Sequence, residues 1–242
     1  MDRQERPGVT RRLGIVTGLA SEAACLDGIP ASPILDCRVV GADGGRAHDA
    51  AIGMIAAGCV GLVSFGTAGS LDPTLPPGAV IIGEAVWAGA DKRFEVDRDW
   101  RLRVADLLAA QPDVHIGIIA GSPTAVGSPS DKRRLREQSG AAAVDMESQS
   151  VARAAEEKGI PFLAIRAVVD DAHAVVPPWV TGVIAPDGTI GAGPTFVGLL
   201  THPGDLPALI RLGSGNRKAH AALRRVALSL GGDFGFGNRL LG

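Results

Sequence analysis

Three acidic residues of the sequence could carry acid–base chemistry because of where they stand. Glu22, Glu147 and Asp170 each follow a short apolar run, and such runs are typical of buried strands. Parallel strands of one sheet present their carboxyl ends at the same edge, so we expect the three side chains to converge there. Acids gathered in this way repel one another and are costly to bury. Proton transfer, or stabilisation of a developing cation, would explain such an arrangement.

Glu147 taken alone also has a structural explanation. It precedes a helix that the sequence predicts over residues 149–157, and an acid in the first turn of a helix offsets the helix dipole by ~0.3–1 kcal/mol. Helix capping is therefore the alternative role for this residue. The two other acids at strand ends favour catalysis over capping.

Alternating apolar strands and amphipathic helices must position these acids. No linker, internal repeat or low-complexity tract divides the sequence. We therefore expect a single α/β domain over residues 13–242, preceded by a disordered extension over residues 1–12. The predicted strands cover residues 13–18, 34–40, 60–65, 79–87, 115–121 and 162–168, with a further short strand just before Glu147 in the apolar stretch 140–144. The predicted helices cover residues 21–26, 47–57, 99–110, 131–138, 149–157 and 216–230.

Two turns rich in small residues could approach a ligand. Residues Thr67, Ala68 and Gly69 follow the strand predicted over residues 60–65, where small side chains allow a close backbone approach and Thr67 adds a hydroxyl. The second turn places Arg46 after two glycines at a helix N-terminus, which could hold an anion. An ordinary turn with a solvated Arg46 is the alternative, because the pattern matches no phosphate fingerprint.

Composition and charge exclude several classes of protein. The 242 residues are 46% hydrophobic, and 24 basic against 26 acidic residues give a net charge of -2, so no basic footprint for nucleic acid is present. No apolar run approaches the ~20 residues that span a bilayer. The polar start of the sequence lacks a secretory signal, and the three cysteines form no paired zinc pattern. We expect a cytoplasmic protein with reduced thiols and no metal site.

Four stretches, in order, resemble the signature motifs of the nucleoside phosphorylase and nucleosidase family, which includes methylthioadenosine/S-adenosylhomocysteine nucleosidase. The stretches are residues 13–22, residues 64–78 with Leu-x-Pro-x-Leu-x-x-Gly, residues 144–147 ending in Met-Glu, and residues 165–170 with Arg-Ala-x-x-Asp. The resemblance implies a three-layer α/β/α fold with a central mixed, mostly parallel sheet. It also implies an enzyme that cleaves the glycosidic bond of a purine nucleoside.

The tail of the chain is similar to one branch of that family, the hopanoid-associated phosphorylases. The similarity lies in Ala172-His173, Pro177-Pro178, residues 186–188 and residues 202–211. In that branch the substrate is adenosylhopane, a 5'-substituted adenosine that loses adenine. The resemblance therefore implies a lipid-linked adenine nucleoside as substrate, with methylthioadenosine or S-adenosylhomocysteine as the alternative.

The family also implies roles at the base and at the sugar. The residue that matches Asp170 protonates or hydrogen-bonds N7 of the purine, and the residue that matches Glu147 holds the ribose hydroxyls. Met146 would pack under the sugar, and Ala125 and Val126 would lie in the purine-binding loop. A carboxylate below the sugar suits the oxocarbenium charge that develops when the C–N bond breaks.

The nucleophile is the main chemical question that the resemblance leaves open. In the nucleosidases, residues matching Glu22, Thr67 and Arg166 position and deprotonate water. The phosphorylases instead bind phosphate with arginines and glycines, and here only Arg46 and its glycine turn could do so. Because a carboxylate that faces phosphate is repulsive, we favour water, with phosphate as the alternative co-substrate and no other cofactor.

Two departures from the family pattern concern the purine. Asp170 must be protonated when substrate binds, and its apolar neighbours and the like charge of Asp171 predict a raised pKa. Many nucleosidases, however, carry a serine where this chain has Val169. Residues 122–127, which match the purine loop, contain no aromatic side chain that could stack on the base.

These departures motivate a rival hypothesis, a nucleoside-binding module without turnover. A Rossmann dehydrogenase is a weaker third option. Residues 18–22 lack the Gly-x-Gly-x-x-Gly pattern, and the carboxylate of Glu22 would repel a pyrophosphate.

The C-terminal third suggests contacts beyond the active site. The basic helix predicted over residues 216–230 could rest on an anionic membrane surface, although a docked terminal helix with a solvated face is the more common structure. Trp179, in the Pro- and Gly-rich segment 175–193, could cover an apolar substrate tail or form a dimer contact. His173 has no assigned role beyond a structural or solvent-facing one. From the family we expect a homodimer.

Overall fold

An eight-stranded sheet is the centre of the computed structural model, which describes residues 12–29, 35–89 and 92–237. The strands are β1 (Arg12–Thr17), β2 (Leu35–Val39), β3 (Cys59–Ser70), β4 (Val80–Trp87), β5 (Arg93–Glu95), β6 (Val114–Gly121), β7 (Ala143–Asp145) and β8 (Phe162–Asp170). The helices are α1 (Ala20–Ala23), α2 (Gly44–Ala56), α3 (Arg98–Leu107), α4 (Pro129–Ser139), α5 (Ser148–Lys158), α6 (Ala192–Thr201) and α7 (Leu206–Leu230). Short 3-10 helices occur at Ala24–Leu26, Pro178–Val183, Pro203–Asp205 and Gly231–Asp233.

Seven of the strands form two groups. The strands within each group are parallel, and the two groups are antiparallel to each other. Strands β2, β1, β3 and β8 are parallel, and so are β4, β6 and β7. The groups join where β4 pairs antiparallel with β8 and β7 pairs antiparallel with β3, so β3, β8, β4, β6 and β7 close into a ring. The predicted α/β class with a mixed, mostly parallel sheet is confirmed.

Strand β3 is longer than the sequence pattern indicated. We predicted a strand over residues 60–65 that ends at Gly66, whereas the observed strand continues to Ser70. The glycines are tolerated because both edges of this part are paired, with Gly66 opposite Arg166 of β8 and Gly69 opposite Val144 of β7. The small residues therefore belong to a central strand, not to a turn.

Two groups of helices cover the sheet. Helices α2 and α5 pack together, and α7 packs on β8 beside α1 and α3. Helix α2 begins three residues before the predicted start, because the Asp43 side chain accepts a hydrogen bond from the backbone N–H of Arg46 and caps the helix. None of the described helices is both long and apolar enough to cross a bilayer.

Both ends of the chain differ from the predicted boundaries. Arg12, assigned to the disordered extension, is the first residue of β1. The rest of that predicted extension, residues 1–11, lies outside the described residues. At the other end, α7 starts at Leu206 and not at residue 216, so one helix of 25 residues replaces the predicted short helix.

Candidate active site

A cavity of about 400 Å³ lies where β1, β3, β7 and β8 end, and it contains the three predicted acids. Glu22, Glu147 and Asp170 all line it. So do most of the other residues predicted for the site, namely Thr67, Ala68, Gly69, Ala125, Val126 and Met146. Arg46 and Arg166 do not line the cavity. The expected convergence of the three strand-end acids is therefore observed.

The strand directions behind this convergence differ from the expectation. We expected all three acids to follow parallel strands, but β7, which precedes Glu147, runs antiparallel to β3. Strand β7 pairs with Gly69 and Ser70 at the end of β3 and with β6 on its other side. The chain therefore runs back along β3 after β7 and still brings Glu147 to the cavity.

The carboxylate of Glu22 is held by four hydrogen bonds. Its Oε2 accepts from the backbone N–H groups of Gly18 and Leu19, each at 2.9 Å. Its Oε1 accepts from the backbone N–H of Thr67 at 2.7 Å and from the Thr67 hydroxyl at 2.8 Å. Because the Thr67 proton is directed to Glu22, the hydroxyl oxygen can still accept a hydrogen bond from a molecule in the cavity.

Glu147 is buried between the cavity and Arg166. It stands at the N-cap position of α5 without making a capping hydrogen bond, and that contact comes from Asp145, whose Oδ1 accepts from the Ser148 N–H at 3.1 Å. The capping alternative thus describes Asp145, not Glu147. Burial raises the pKa of Glu147 to about 8; Arg166 opposes this shift, and Asp145 and Glu22 add to it.

Arg166, which we predicted to help position the nucleophile, is fully buried behind the acids. Its Nε forms an ion pair with Asp145, and its Nη2 donates to Ser64 Oγ at 2.6 Å and to Ser148 Oγ at 3.0 Å. Burial disfavours the charged guanidinium, but the carboxylates of Asp145, Glu147 and Glu22 raise its pKa. Arg166 therefore balances the charge of the acids without lining the cavity.

Gly18 and Gly66 make room for this cluster. A Cβ on Gly18 would lie 2.8 Å from Glu147 Oε1 and 3.5 Å from Glu22 Oε2, so the two carboxylates flank the same point. A Cβ on Gly66 would lie 2.7 Å from Glu22 Oε2 and would overlap Arg166 Nη1. That nitrogen has no hydrogen-bond partner among the described residues.

Asp170 is paired with a lysine that the sequence analysis missed. The Nζ atom of Lys132, a residue of α4 with 0% exposure, forms an ion pair with Asp170 Oδ2 and donates to the carbonyl of Asp171 at 2.6 Å. Burial raises the pKa of Asp170, Lys132 opposes the shift, and Asp171 adds to it. Both the direction of this pKa shift and its two expected causes agree with the prediction, and burial contributes more than Asp171.

Arg46 lies apart from the cavity. Its Nε donates to the carbonyl of Val40 at 2.7 Å and its Nη2 to the carbonyl of Gly41 at 3.0 Å. The predicted anion-binding turn is the first turn of α2, and its arginine folds back on the chain that precedes the helix. Within the described part of the chain, Arg46 is not among the residues that line the cavity.

Residues 45–178, more than half of the chain, match the Phosphorylase superfamily. The chain belongs to this superfamily. Its predicted class, an enzyme that cleaves a glycosidic bond, agrees with that membership.

Solved structures similar to this phosphorylase-superfamily chain include two nucleosidases of Helicobacter pylori. Futalosine hydrolase of strain 26695 is 16% identical, with 91% of this chain and 97% of that chain covered and a TM-score of 0.68. A complexed 5'-methylthioadenosine/S-adenosylhomocysteine nucleosidase is 15% identical, with the same coverage and a TM-score of 0.69. The corresponding nucleosidase of S. pneumoniae is 16% identical, covering 90% and 99%, with a TM-score of 0.65. No curated protein sequence matches the chain. These structures establish the shared fold.

Apolar side chains form the walls at one end of the cavity in this superfamily member. The walls there come from the segment after β8 and from α7, with Trp179, Val180, Val183, Leu209 and Leu212 among the lining residues. The indole N–H of Trp179 donates to Asp205 at 2.9 Å, which fixes the ring over the cavity. The sequence indicated Trp179 as a cover but gave no sign that α7 forms a wall.

The site as a whole is organised for charge and proton chemistry. Glu22 and Glu147 lie together at one side, and Asp170 lies beside Gly69, whose added Cβ would be 3.4 Å from both carboxylate oxygens. Among the described residues, no three His, Cys, Asp or Glu side chains are grouped to hold a metal ion. The chemistry that this geometry offers is acid catalysis at one end of a ligand and anionic stabilisation at the other.

Proposed function

We propose that the chain cleaves the N-glycosidic bond of a 5'-substituted adenosine and releases adenine. The observation that carries the proposal is the placement of Asp170 and the Glu22–Glu147 pair around one cavity. Breaking the C–N bond leaves positive charge on the ribose and negative charge on the purine. Asp170 would give a proton to the purine, while Glu147 would hold the ribose hydroxyls and stabilise the cation.

We propose water as the nucleophile, in agreement with the predicted hydrolysis. A water that donates one hydrogen bond to the Thr67 hydroxyl oxygen would lie next to Glu22. Glu22 would take the other proton of that water as its oxygen bonds to the sugar. Phosphate would need cations in the same place. Arg46 is bound to backbone carbonyls, Arg166 is enclosed by carboxylates, and Glu22 would repel the anion.

The apolar end of the cavity supports a large apolar 5' substituent. Its walls of valine, leucine and tryptophan offer few hydrogen-bond partners, so a polar group there would lose its hydration without compensation. Adenosylhopane, the substrate of the branch that the tail resembles, fits this chemistry. The alternative is a methylthio or homocysteinyl substituent, because the similar solved structures include methylthioadenosine/S-adenosylhomocysteine nucleosidases.

We propose that the outer face of α7 touches an anionic membrane, where a lipid-linked substrate would be found. Helix α7 contains no acidic residue, and its exposed stripe carries Leu206, Ile210 and Leu228 with Arg217 and Arg224 between them. Exposed apolar side chains interleaved with cations are typical of interfacial helices. Flotation with vesicles of phosphatidylglycerol should carry the protein upward. Equal flotation of an Arg217→Glu/Arg224→Glu variant would contradict this contact.

The homodimer and the cytoplasmic location stay predictions. Sedimentation of the purified protein at micromolar concentration tests the first, and a monomer there would contradict it. Fractionation of cells that produce the protein tests the second, since we expect it in the cytoplasmic and peripheral membrane fractions.

The decisive experiment follows free adenine. Purified protein is incubated with 5'-methylthioadenosine, S-adenosylhomocysteine and adenosylhopane, each with and without phosphate. We expect release of adenine in both buffers, most efficiently from adenosylhopane. Release that requires phosphate would reverse the assignment of the nucleophile, and no release from any of them would reject the proposed reaction.

The rival, a binding module without turnover, is separated by Asp170→Asn. A binder should retain its ligand affinity and leave the ligand unchanged in both proteins. For an enzyme, we expect the substitution to lower the rate by about 10²–10⁴-fold, the usual contribution of a general acid.

A further inference from the structure

Lys132 occupies a position that neither its helix nor the core explains. It lies in the first turn of α4, where its backbone N–H donates to the Ser128 carbonyl at 3.0 Å. A cation is unfavourable at the positive end of a helix dipole. The side chain is also fully buried, and an ammonium group loses its hydration there. A specific partner must therefore compensate for both costs.

That partner is the Asp170 carboxylate. Nζ contacts Oδ2 of Asp170 and the carbonyl of Asp171, which fixes the ammonium against the end of β8. Among the described residues, Oδ1 of Asp170 accepts no hydrogen bond from a side chain, and Asp170 itself lines the main cavity. Oδ2 of Asp170 is thus held by Lys132, while Oδ1 is available to a ligand.

We propose that Lys132 is a positioning residue for Asp170, one that orients the carboxyl group toward the purine and stabilises its negative charge after the proton has left. This inference rests on the proposed function. The proton moves from Asp170 to the purine as the C–N bond breaks, and the carboxylate that remains is paired with the Lys132 ammonium. Without the lysine, the same step would leave an unpaired anion in a buried site.

Lys132 is the cation that forms an ion pair with Asp170 among the described residues. On its own strand Asp171 follows directly, and a Cβ on Gly69 of β3 would lie 3.4 Å from both Asp170 oxygens and 3.6 Å from Val144 of β7. A smaller cavity of about 230 Å³ behind Asp170 is lined by His173 and by Arg211 of α7. Burial raises the pKa of Asp170 and Lys132 opposes that shift, so removal of the lysine should raise the pKa further.

The test compares Lys132→Met, Lys132→Arg and Arg133→Met, whose arginine is an exposed cation of the same helix. With methylthioadenosine as substrate, we expect Lys132→Met to lower kcat at least about tenfold with little change in KM. The alkaline limb of its pH–rate profile should move to higher pH by about one unit or more. Lys132→Arg should recover part of the rate, and Arg133→Met should match the parent.

A double variant separates this role from a purely structural one. If Lys132 acts through Asp170, then Lys132→Met should cause no further loss of rate in an Asp170→Asn background. A full additional tenfold loss there would overturn the proposal, as would an unchanged kcat and pH profile in the single variant. If Lys132→Met does not fold, Lys132→Arg is compared with the parent instead. The proposal then requires that the alkaline limb of the pH–rate profile differs between the two proteins while KM is unchanged.

A measurement without substrate distinguishes this inference from the proposed reaction. The carboxyl carbon of Asp170 is followed by NMR during a pH titration of the parent, Lys132→Met and Arg133→Met. We expect a higher midpoint in Lys132→Met alone. An equal midpoint in all three rejects the role of Lys132 even if the parent releases adenine. A higher midpoint together with a parent that releases no adenine would instead reject the reaction.

Discussion

Arg166 Nη2 lies 3.5 Å from Glu147 Oε2, while Nε of the same guanidinium pairs with Asp145. One fully buried cation thus faces two buried carboxylates, with Glu22 beside them. Because the carboxylates outnumber the cation, a proton on Glu147 relieves the excess negative charge. This relationship links the stability of the fold to the chemistry of the site.

Replacing Arg166 with methionine should destabilise the protein strongly. The substitution leaves Asp145 without its buried counter-charge and removes the hydrogen bonds to Ser64 and Ser148. Removal of one partner from a buried ion pair typically costs about 3–5 kcal/mol. Urea unfolding followed by circular dichroism measures the change in the free energy of unfolding.

The matched control for that variant is Arg134→Met. Arg134 forms an ion pair with Asp131 at 2.7 Å, but both side chains are well exposed. Exposed pairs contribute about 0–1 kcal/mol, so this variant should unfold close to the parent. A similar decrease in the free energy of unfolding in both variants would show that the buried ion pair of Arg166 contributes no more to stability than an exposed pair.

The stability of the ligand-free protein should fall as pH rises from about 5 to about 8. The pKa of Glu147 is about 8 in the folded protein, against a usual value of 4.5. Between these values the folded protein keeps a proton that the unfolded chain has released, so each increase in pH favours unfolding. The slope attributable to one such group is at most about 1.4 kcal/mol per pH unit, and it disappears above pH 8.

Glu147→Gln isolates this slope. The pKa of Asp170 is also raised and gives a slope of the same sign, so the informative quantity is the difference between the parent and the variant. We expect the variant to lose less stability than the parent between pH 5 and pH 8. Parallel curves of unfolding free energy against pH would show that Glu147 is not protonated in the empty site.

The sequence was informative about the acids because the position of a strand end is a local property. Apolar runs placed Glu22, Glu147 and Asp170 after strands, and the structure brings all three to one cavity. The direction of β7 was not predictable, since a strand of three residues has no periodicity and its pairing depends on distant segments. The expectation of parallel strands was therefore wrong for β7, although its acid still reached the site.

The counter-charges were beyond the reach of sequence patterns. Lysine and arginine are usually exposed, and a charged helix such as α4 gives no sign that one of its lysines points inward. Lys132 was missed for this reason, and the pairing of Arg166 with Asp145 was not predicted either. Both residues are buried by contacts between segments far apart in the chain, which no local pattern records.

Gly66→Ala should damage activity through the acids that it touches. The added methyl group would lie 2.7 Å from Glu22 Oε2 and would overlap the guanidinium of Arg166, so at least one of these groups must move. A displacement of about 1 Å in a catalytic site can cost about 10²-fold in rate. We expect a loss of that order in kcat/KM for adenine release.

Gly193→Ala is the control for that substitution, because a Cβ there meets open space on α6. It should leave kcat/KM unchanged and stabilise the helix slightly, if at all. If Gly66→Ala were as active as the control, the cluster around Glu22 would have to be looser than its contacts indicate.

Trp179→Ala should reveal which end of the substrate meets the apolar walls. The ring is tied to Asp205 and lines the cavity beside Val180 and Val183, so it should contact a long 5' substituent but not the purine or the ribose. Loss of a large buried side chain removes roughly 1.5–3 kcal/mol of apolar contact, or about 10–150-fold in kcat/KM. We expect that loss for adenosylhopane and less than about threefold for methylthioadenosine. The control is Val197→Ala, at an exposed position of α6. Equal losses of kcat/KM for the two substrates would mean that Trp179 supports the fold of the segment after β8. The apolar walls would then not be the binding site of the 5' substituent.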